Sequence, residues 1–231
     1  IVPIQISPTL TIENNVCLSK KHTFSFRATA KYFCTISHLD DIVLLRDFCD
    51  NNECPLLILS GGSNTIFMDD YPGVVLSPSF NSFSIVKEDL DSVEIEVGAS
   101  VNWHQLVSYC LQNRFYGLEN LALIPGHVGA APVQNIGAYG VSIQDFVVSV
   151  TGSWLDTGQQ QVLSNAECCF GYRESIFKTH IYKDRFLITK VTLRLSKHPK
   201  INLSHKEIAK KMKKLPQTPD KLFNLICQIA Q

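Results

Sequence analysis

The sequence predicts an α+β protein of two small domains with mixed or antiparallel sheets. Three observations predict it. Apolar residues at 42, 45 and 48–49, followed by the run Leu56-Leu57-Ile58-Leu59, place a helix just before a buried strand. Alternation such as Val93-Glu94-Ile95-Glu96-Val97 marks half-exposed antiparallel strands farther on. The glycine-rich loops match neither GxGxxG nor GxxxxGK followed by Ser or Thr, so a doubly wound parallel sheet loses ground.

The elements follow in order. The helix over 38–48 carries Asp40 and Asp41 in its first turn, where the helix dipole favours acids. Residues 51–55 break it, and the strand at 56–59 feeds Ser60-Gly61-Gly62-Ser63-Asn64. Asp70-Tyr71-Pro72-Gly73 reads as a turn, with Val74-Val75-Leu76 a strand after it. This unit forms a first domain over 1–75. Residues 83–86 and 93–97 alternate as strands, and Ser100 is placed to cap a helix over 101–113. Residues 117–140 hold five glycines and two prolines, so they contain no long regular element. Strands return at 146–155 and 186–195, closing a second domain over 76–200. Helices at 206–214 and 219–230 fill a third segment, 201–231, and the latter offers an apolar face with no evident partner.

Composition narrows the function. The chain has 231 residues, with 21 Lys+Arg against 21 Asp+Glu, so no global basic field favours nucleic acid. With 45% hydrophobic and 18% charged residues it can build a sizeable core. No apolar run approaches the ~18 residues of a membrane span, and residues 1–15 lack the pattern of a secretion signal. Ile1 is not a start methionine. The eight cysteines form no CxxC and no zinc-ligand spacing with histidine. They are expected to be reduced, mostly small buried apolar residues of a cytoplasmic chain, with no metal site.

Three segments carry candidate chemistry. Consecutive glycines at 61–62 let backbone N–H groups converge on an anion, with Ser63 and Asn64 as added donors. An isolated Gly-Gly-Ser-Asn is also an ordinary turn. The small, apolar loop at 117–140 needs partners for its backbone polar groups, which a flat ligand or a buried crossover would supply. The guanidinium in Tyr172-Arg173 suits a carboxylate or phosphate, although a lone arginine is commonly just a surface group.

Taken together, His22-Thr23-Phe24, Gly61-Gly62-Ser63-Asn64, Asn102-Trp103-His104, residues 117–126, residues 132–140 and Phe170-Gly171-Tyr172-Arg173 resemble the UDP-N-acetylenolpyruvoylglucosamine reductase (MurB) family, flavoenzymes of peptidoglycan precursor synthesis. The resemblance runs from about residue 22 onward, some nine-tenths of the chain. It implies a two-domain FAD-binding fold of the vanillyl-alcohol-oxidase (PCMH) type, with the substrate domain largely missing and residues 201–231 as its helical start. It implies that Gly61, Gly62, Ser63, Asn64 and Thr65 hold the FAD pyrophosphate. Ile124, Pro125, Gly126, Gly129, Ala130, Gln134, Asn135 and Gly137, with Ile188, would lie along the rest of the cofactor. Tyr139, Tyr172 and Arg173 would bind substrate, with Arg173 polarising its carboxylate as the catalytic residue. NADPH is the implied co-substrate, a UDP-sugar enolpyruvate the substrate, and a monomer the implied state.

This sequence departs from the family pattern in places. The serine proton donor of the Asn-Ala-Gly-Ser-Phe-Phe-Lys-Asn-Pro type and the late glutamate have no counterpart, and Gly152-Ser153 does not match that motif. Ser60 replaces a frequent glycine, His127 takes a small-residue position, and His205 falls where one branch carries a tyrosine. Two expectations therefore stand side by side: a working reductase, and a truncated flavin-binding remnant that cannot complete catalysis.

Overall fold

A computed structural model describes residues 2–230. Ile1 and Gln231, the outer ends of the first and third expected domains, lie outside the described residues. The architecture is α+β, as predicted, and rests on two five-stranded sheets.

The first sheet contains β1 (Ile4–Gln5), β2 (Thr11–Cys17), β3 (Thr29–Ile36), β4 (Leu56–Ile58) and β5 (Tyr71–Pro78), ordered β1-β2-β3-β5-β4. It is mixed: β1, β2 and β3 pair antiparallel, whereas β3, β5 and β4 pair parallel. Helix α1 (Asp41–Asn51) makes the crossover between β3 and β4. Sequence patterning misses β2 and β3. In β3 the neighbours Phe33 and Cys34 point to opposite faces and both are buried, in different apolar clusters, which erases the period of two. Of the turn expected at 70–73, residues 71–73 are instead the start of β5. Pairing steps from Ala30↔Tyr71 to Tyr32↔Val74, so Pro72 and Gly73 are absorbed as a bulge on β5.

The second sheet joins β6 (Phe83–Glu88), β7 (Ser92–Gly98), β10 (Val147–Trp154), β11 (Gln160–Ser164) and β12 (Phe186–Ser196), ordered β11-β10-β12-β7-β6 and antiparallel throughout. Between β7 and β10 come helix α2 (Trp103–Gln112) and a small hairpin of β8 (Gly137–Ala138) and β9 (Val141–Ser142). The residue capping α2 is Asn102, not Ser100. Asn102 Oδ1 accepts from Gln105 N at 3.0 Å. Ser100 is drawn away from capping because its Oγ donates to Pro78 O at 2.8 Å and accepts from Phe80 N at 2.9 Å, tying the end of β5 to the entry of α2.

Helices α3 (Lys206–Met212) and α4 (Pro219–Ala230) follow β12. Ile208, Met212, Leu222 and Ile226 are fully buried in the same apolar cluster as β7, β12 and α2. The apolar face at 219–230 is therefore packed, against the exposed face the sequence left open. It folds onto the one-turn helix at Glu119–Leu121. Leu155 and Leu187 join the first sheet's cluster, so both sheets contribute to one continuous boundary. Cys34, Cys49, Cys110 and Cys168 are buried as expected, while Cys17 and Cys169 are exposed.

Candidate active site

The loop leaving β4 and the long loop after α2 meet at a cavity of about 610 Å³. That size is ordinary for a small-molecule or cofactor site. Gly61, Gly62, Ser63, Asn64 and Thr65 line it from one side, and Pro125, Gly129, Ala130 and Gln134 from the other, with Ile188 of β12 at the base. Three side-chain bonds zip the two loops together. Ser60 Oγ and His127 Nδ1 lie 3.1 Å apart, Ser63 Oγ donates to Pro125 O at 3.3 Å, and Asn64 Nδ2 donates to Gln134 Oε1 at 3.1 Å. In this structure the donors expected from Ser63 and Asn64 are thus spent on the opposite loop.

Backbone geometry explains the small residues. Gly62 has a φ of +61°, and a Cβ there would sit 2.6 Å from His22 Cα. Its carbonyl accepts from Thr23 N at 3.2 Å, so the segment around His22 is the floor beneath the glycine loop. A Cβ on Gly129 would lie 2.5 Å from Ala99 Cβ, and Gly129 N donates to Ala99 O at 2.8 Å. Trp103 N donates to Gly126 O at 3.0 Å, which fixes the loop to the start of α2.

The remaining expected site residues do not all reach the cavity wall. Ile124, Gly126, Asn135 and Gly137 are outside its lining. Asn135 is buried, and its amide is committed: Nδ2 donates to Gln144 Oε1 and to Gly171 O, both at 2.8 Å, while Oδ1 accepts from Gln144 N. It ties the loop to the turn bearing Tyr172 and Arg173. That turn is closed by paired backbone bonds between Gly171 and Glu174. Arg173 Nη2 donates to Gly137 O at 3.1 Å, two residues from Tyr139, whose ring meets His205 edge-on. Arg173 thus reaches the strand that leads to Tyr139, while Tyr172 is exposed, and none of the three lines the cavity.

Other lining groups have no signal in the sequence. Lys178, Lys183 and Asp184 face the cavity from the segment before β12, beside Phe177 and Tyr182. Their order is irregular, so no spacing marks them. His127 is half-buried, and burial pulls its pKa down, favouring the neutral ring.

The fit to a flat, phosphate-bearing cofactor is good. Glycine backbone free of Cβ faces the cavity at one end, Lys183 adds a cation beside Asp184 while the Lys178 ammonium is paired with Glu174 at 2.9 Å, and Trp103, Ile136 and Phe177 supply apolar wall. A model of the FAD binding domain matches residues 30–164. The chain belongs to the FAD-binding domain family. Within that family it is similar to UDP-N-acetylenolpyruvoylglucosamine reductases. It is 40% identical over 205 residues to that of Chromobacterium violaceum, covering 88% of this chain and 60% of the relative. Against that of Escherichia coli it is 40% identical over 215 residues, covering 93% and 62%. The chain thus spans about three-fifths of the length of these relatives. The reductase (MurB) from Thermus caldophilus superposes with a TM-score of 0.67 at 25% identity, covering 90% of this chain and 71% of that one. P-cresol methylhydroxylase superposes at 0.51 with 15% identity, covering 79% of this chain and 39% of that one. The fold is accordingly the FAD-binding α+β type that the resemblance implied.

Glu119 offers a separate test of this loop. Its carboxylate is buried and accepts from Gly117 N at 2.9 and 3.1 Å. Burial pushes its pKa above the ordinary carboxylate value, with the bonds from Glu119 and Gly117 N–H partly opposing. The folded state then holds this proton to higher pH than the unfolded chain, so its contribution to stability falls as pH rises past the unfolded pKa. Glu119→Gln keeps an acceptor and removes the titration. Its melting temperature relative to the parent is expected to rise as pH increases from 4 to 8, as followed by thermal unfolding. A constant difference across that range would rule this out.

Proposed function

We propose that this chain carries the cofactor site of an NADPH-dependent reductase that converts UDP-N-acetylglucosamine enolpyruvate to UDP-N-acetylmuramate. One observation supports it most: the loop at 60–65 and residues between 125 and 136, far apart in sequence, line a single cavity. When bound, FAD supplies the two-electron chemistry that relays reducing equivalents from NADPH to the enolpyruvyl double bond. The backbone N–H groups of Gly61 to Thr65 hold the diphosphate. Pro125, Gly129, Ala130 and Gln134 back the remainder, with Ile188 beneath; Ile124, Gly126, Asn135 and Gly137 shape that loop from behind.

Arg173, steadied by Gly137 O, presents its guanidinium to the substrate carboxylate and offsets charge that builds there during reduction. Tyr139 and Tyr172 border that carboxylate site. The proton that completes reduction is not assigned to a residue of this chain. The accompanying reading is a monomer acting on a small UDP-sugar in the cytoplasm, with no role for nucleic acid. Among the described residues no helix is long and apolar enough to cross a membrane.

The test is an absorption spectrum of the purified 231-residue chain, followed by anaerobic NADPH and then the enolpyruvyl UDP-sugar. Bound-flavin bands that bleach with NADPH and return with the sugar are expected. Bleaching without return would overturn the reductase reading and leave a flavin-binding module. A colourless protein that refuses added FAD would overturn both.

A further inference from the structure

We propose that Cys49 and Cys54 form an oxidisable dithiol that closes to an intrachain disulfide under peroxide or a glutathione-type disulfide. The end of α1 builds the pair. Glu53 takes a left-handed φ of +47°, Glu53 N donates to Asp50 O at 3.2 Å, and Cys54 N donates to Cys49 O at 3.1 Å. These two backbone bonds define the helix ending in which the side chain two places beyond the cap packs on one from the last turn. In most proteins that contact is between apolar side chains. Here both members are thiols, set against each other by the same two backbone bonds. The direct backbone bond also keeps the two Cα atoms close enough for a disulfide, which spans about 4.4–6.8 Å.

Accessibility sets the order of events. Cys54 is half-buried and Cys49 is buried. Burial, with Cys54 the next cause, pushes the Cys49 thiol up to about 12, so it is a poor nucleophile toward oxidants in solution. The Cys54 thiolate attacks one peroxide oxygen, the O–O bond breaks, and Cys54 becomes a sulfenic acid as hydroxide leaves. Cys49 gives up its proton to that hydroxide, forming water, and attacks the Cys54 sulfur. The S–S bond forms as the S–O bond breaks, and a second water leaves on proton uptake. Two thiols and one hydrogen peroxide thus become one disulfide and two waters. With glutathione disulfide the same exchange releases two glutathione thiols. The bond would tie the end of α1 to the residues just before β4, the strand that leads into Ser60 and the glycine loop. This inference does not depend on the proposed reductase activity.

The test treats the folded chain with hydrogen peroxide, and separately with glutathione disulfide. Acid quenching, alkylation and mass spectrometry follow, without reduction. Cleavage after Glu53 separates the two cysteines, so a disulfide is read as two peptides held together. The expected result is a loss of two alkylatable thiols and, on a sample taken before alkylation, a mass about 2 Da lower for two hydrogens removed. The linked peptides should contain Cys49 and Cys54, and dithiothreitol should reverse the change. In Cys54→Ser, Cys49 should stay alkylatable under the same treatment. If both cysteines of the parent remain alkylated after other thiols have reacted, or if the bond maps to Cys34 or to Cys168 and Cys169, the proposal is overturned. Mapping on the parent does not require the variant to fold.

Discussion

Gly62→Ala is expected to lose retained flavin and to unfold at much lower urea than the parent. Two effects act at one atom. The φ of +61° costs a residue with a Cβ about 1–2 kcal/mol. The added methyl would also stand 2.6 Å from His22 Cα and closer still to Lys21 O. Both opposing atoms are backbone, so no side-chain rotation relieves the clash, and overpacking of this kind adds about 1–3 kcal/mol. Relief requires the segment at 21–23 to separate from the glycine loop, breaking the bond from Thr23 N to Gly62 O. The neighbouring position is the control. At Gly61 a Cβ would meet Gly126 Cα at 3.3 Å and the His127 ring at 3.5 Å, which small shifts accommodate. Gly61→Ala should therefore be much milder in urea titration. Equal effects at the two positions would contradict the close approach of residues 21–23 to the loop.

Trp103→Ala should cost about 3–5 kcal/mol of stability, the range for removing a buried aromatic side chain. Trp103 is almost fully buried at the start of α2, and its Nε1 donates to Leu121 O at 2.8 Å. Truncation opens a void beside the cavity and strands a buried carbonyl. Trp103→Phe fills most of the void and still strands the carbonyl, so a cost of about 1–3 kcal/mol is expected. Urea midpoints should fall in the order parent, Trp103→Phe, Trp103→Ala, with the slope unchanged. An unchanged midpoint for Trp103→Ala would mean that α2 does not anchor the loop at 117–126.

Elements with one wet face were legible in the sequence. Helices α1 and α2 and strand β7 show the period of their own geometry because one side meets water and the other does not. The glycine loop and the Tyr172-Arg173 pair were legible for another reason: few residue types tolerate a positive φ or supply a planar cation. Strand β3 was not legible, because it is covered on both faces. The bulge at Pro72 and Gly73 was not either, since the same dipeptide suits a turn until a neighbouring strand pairs across it. At the site, Asn135 looked like a cavity residue, whereas its amide is spent on Gln144 and Gly171.

By itself the sequence determined the fold class, the two loops that meet at the cavity, and the resemblance to flavin-dependent reductases, since those depend on local periodicity and on uncommon residue combinations. Tertiary structure decided which residues share a space. It chose Asn102 over Ser100 as the helix cap, placed Lys178, Lys183 and Asp184 on the cavity wall, buried the apolar face of α4, and set Cys49 against Cys54. Each of these outcomes is a competition for hydrogen bonds or apolar area between segments distant along the chain, or, for the thiols, a product of how a helix ends. Local pattern records what a residue prefers, and only packing records which partner reaches it first.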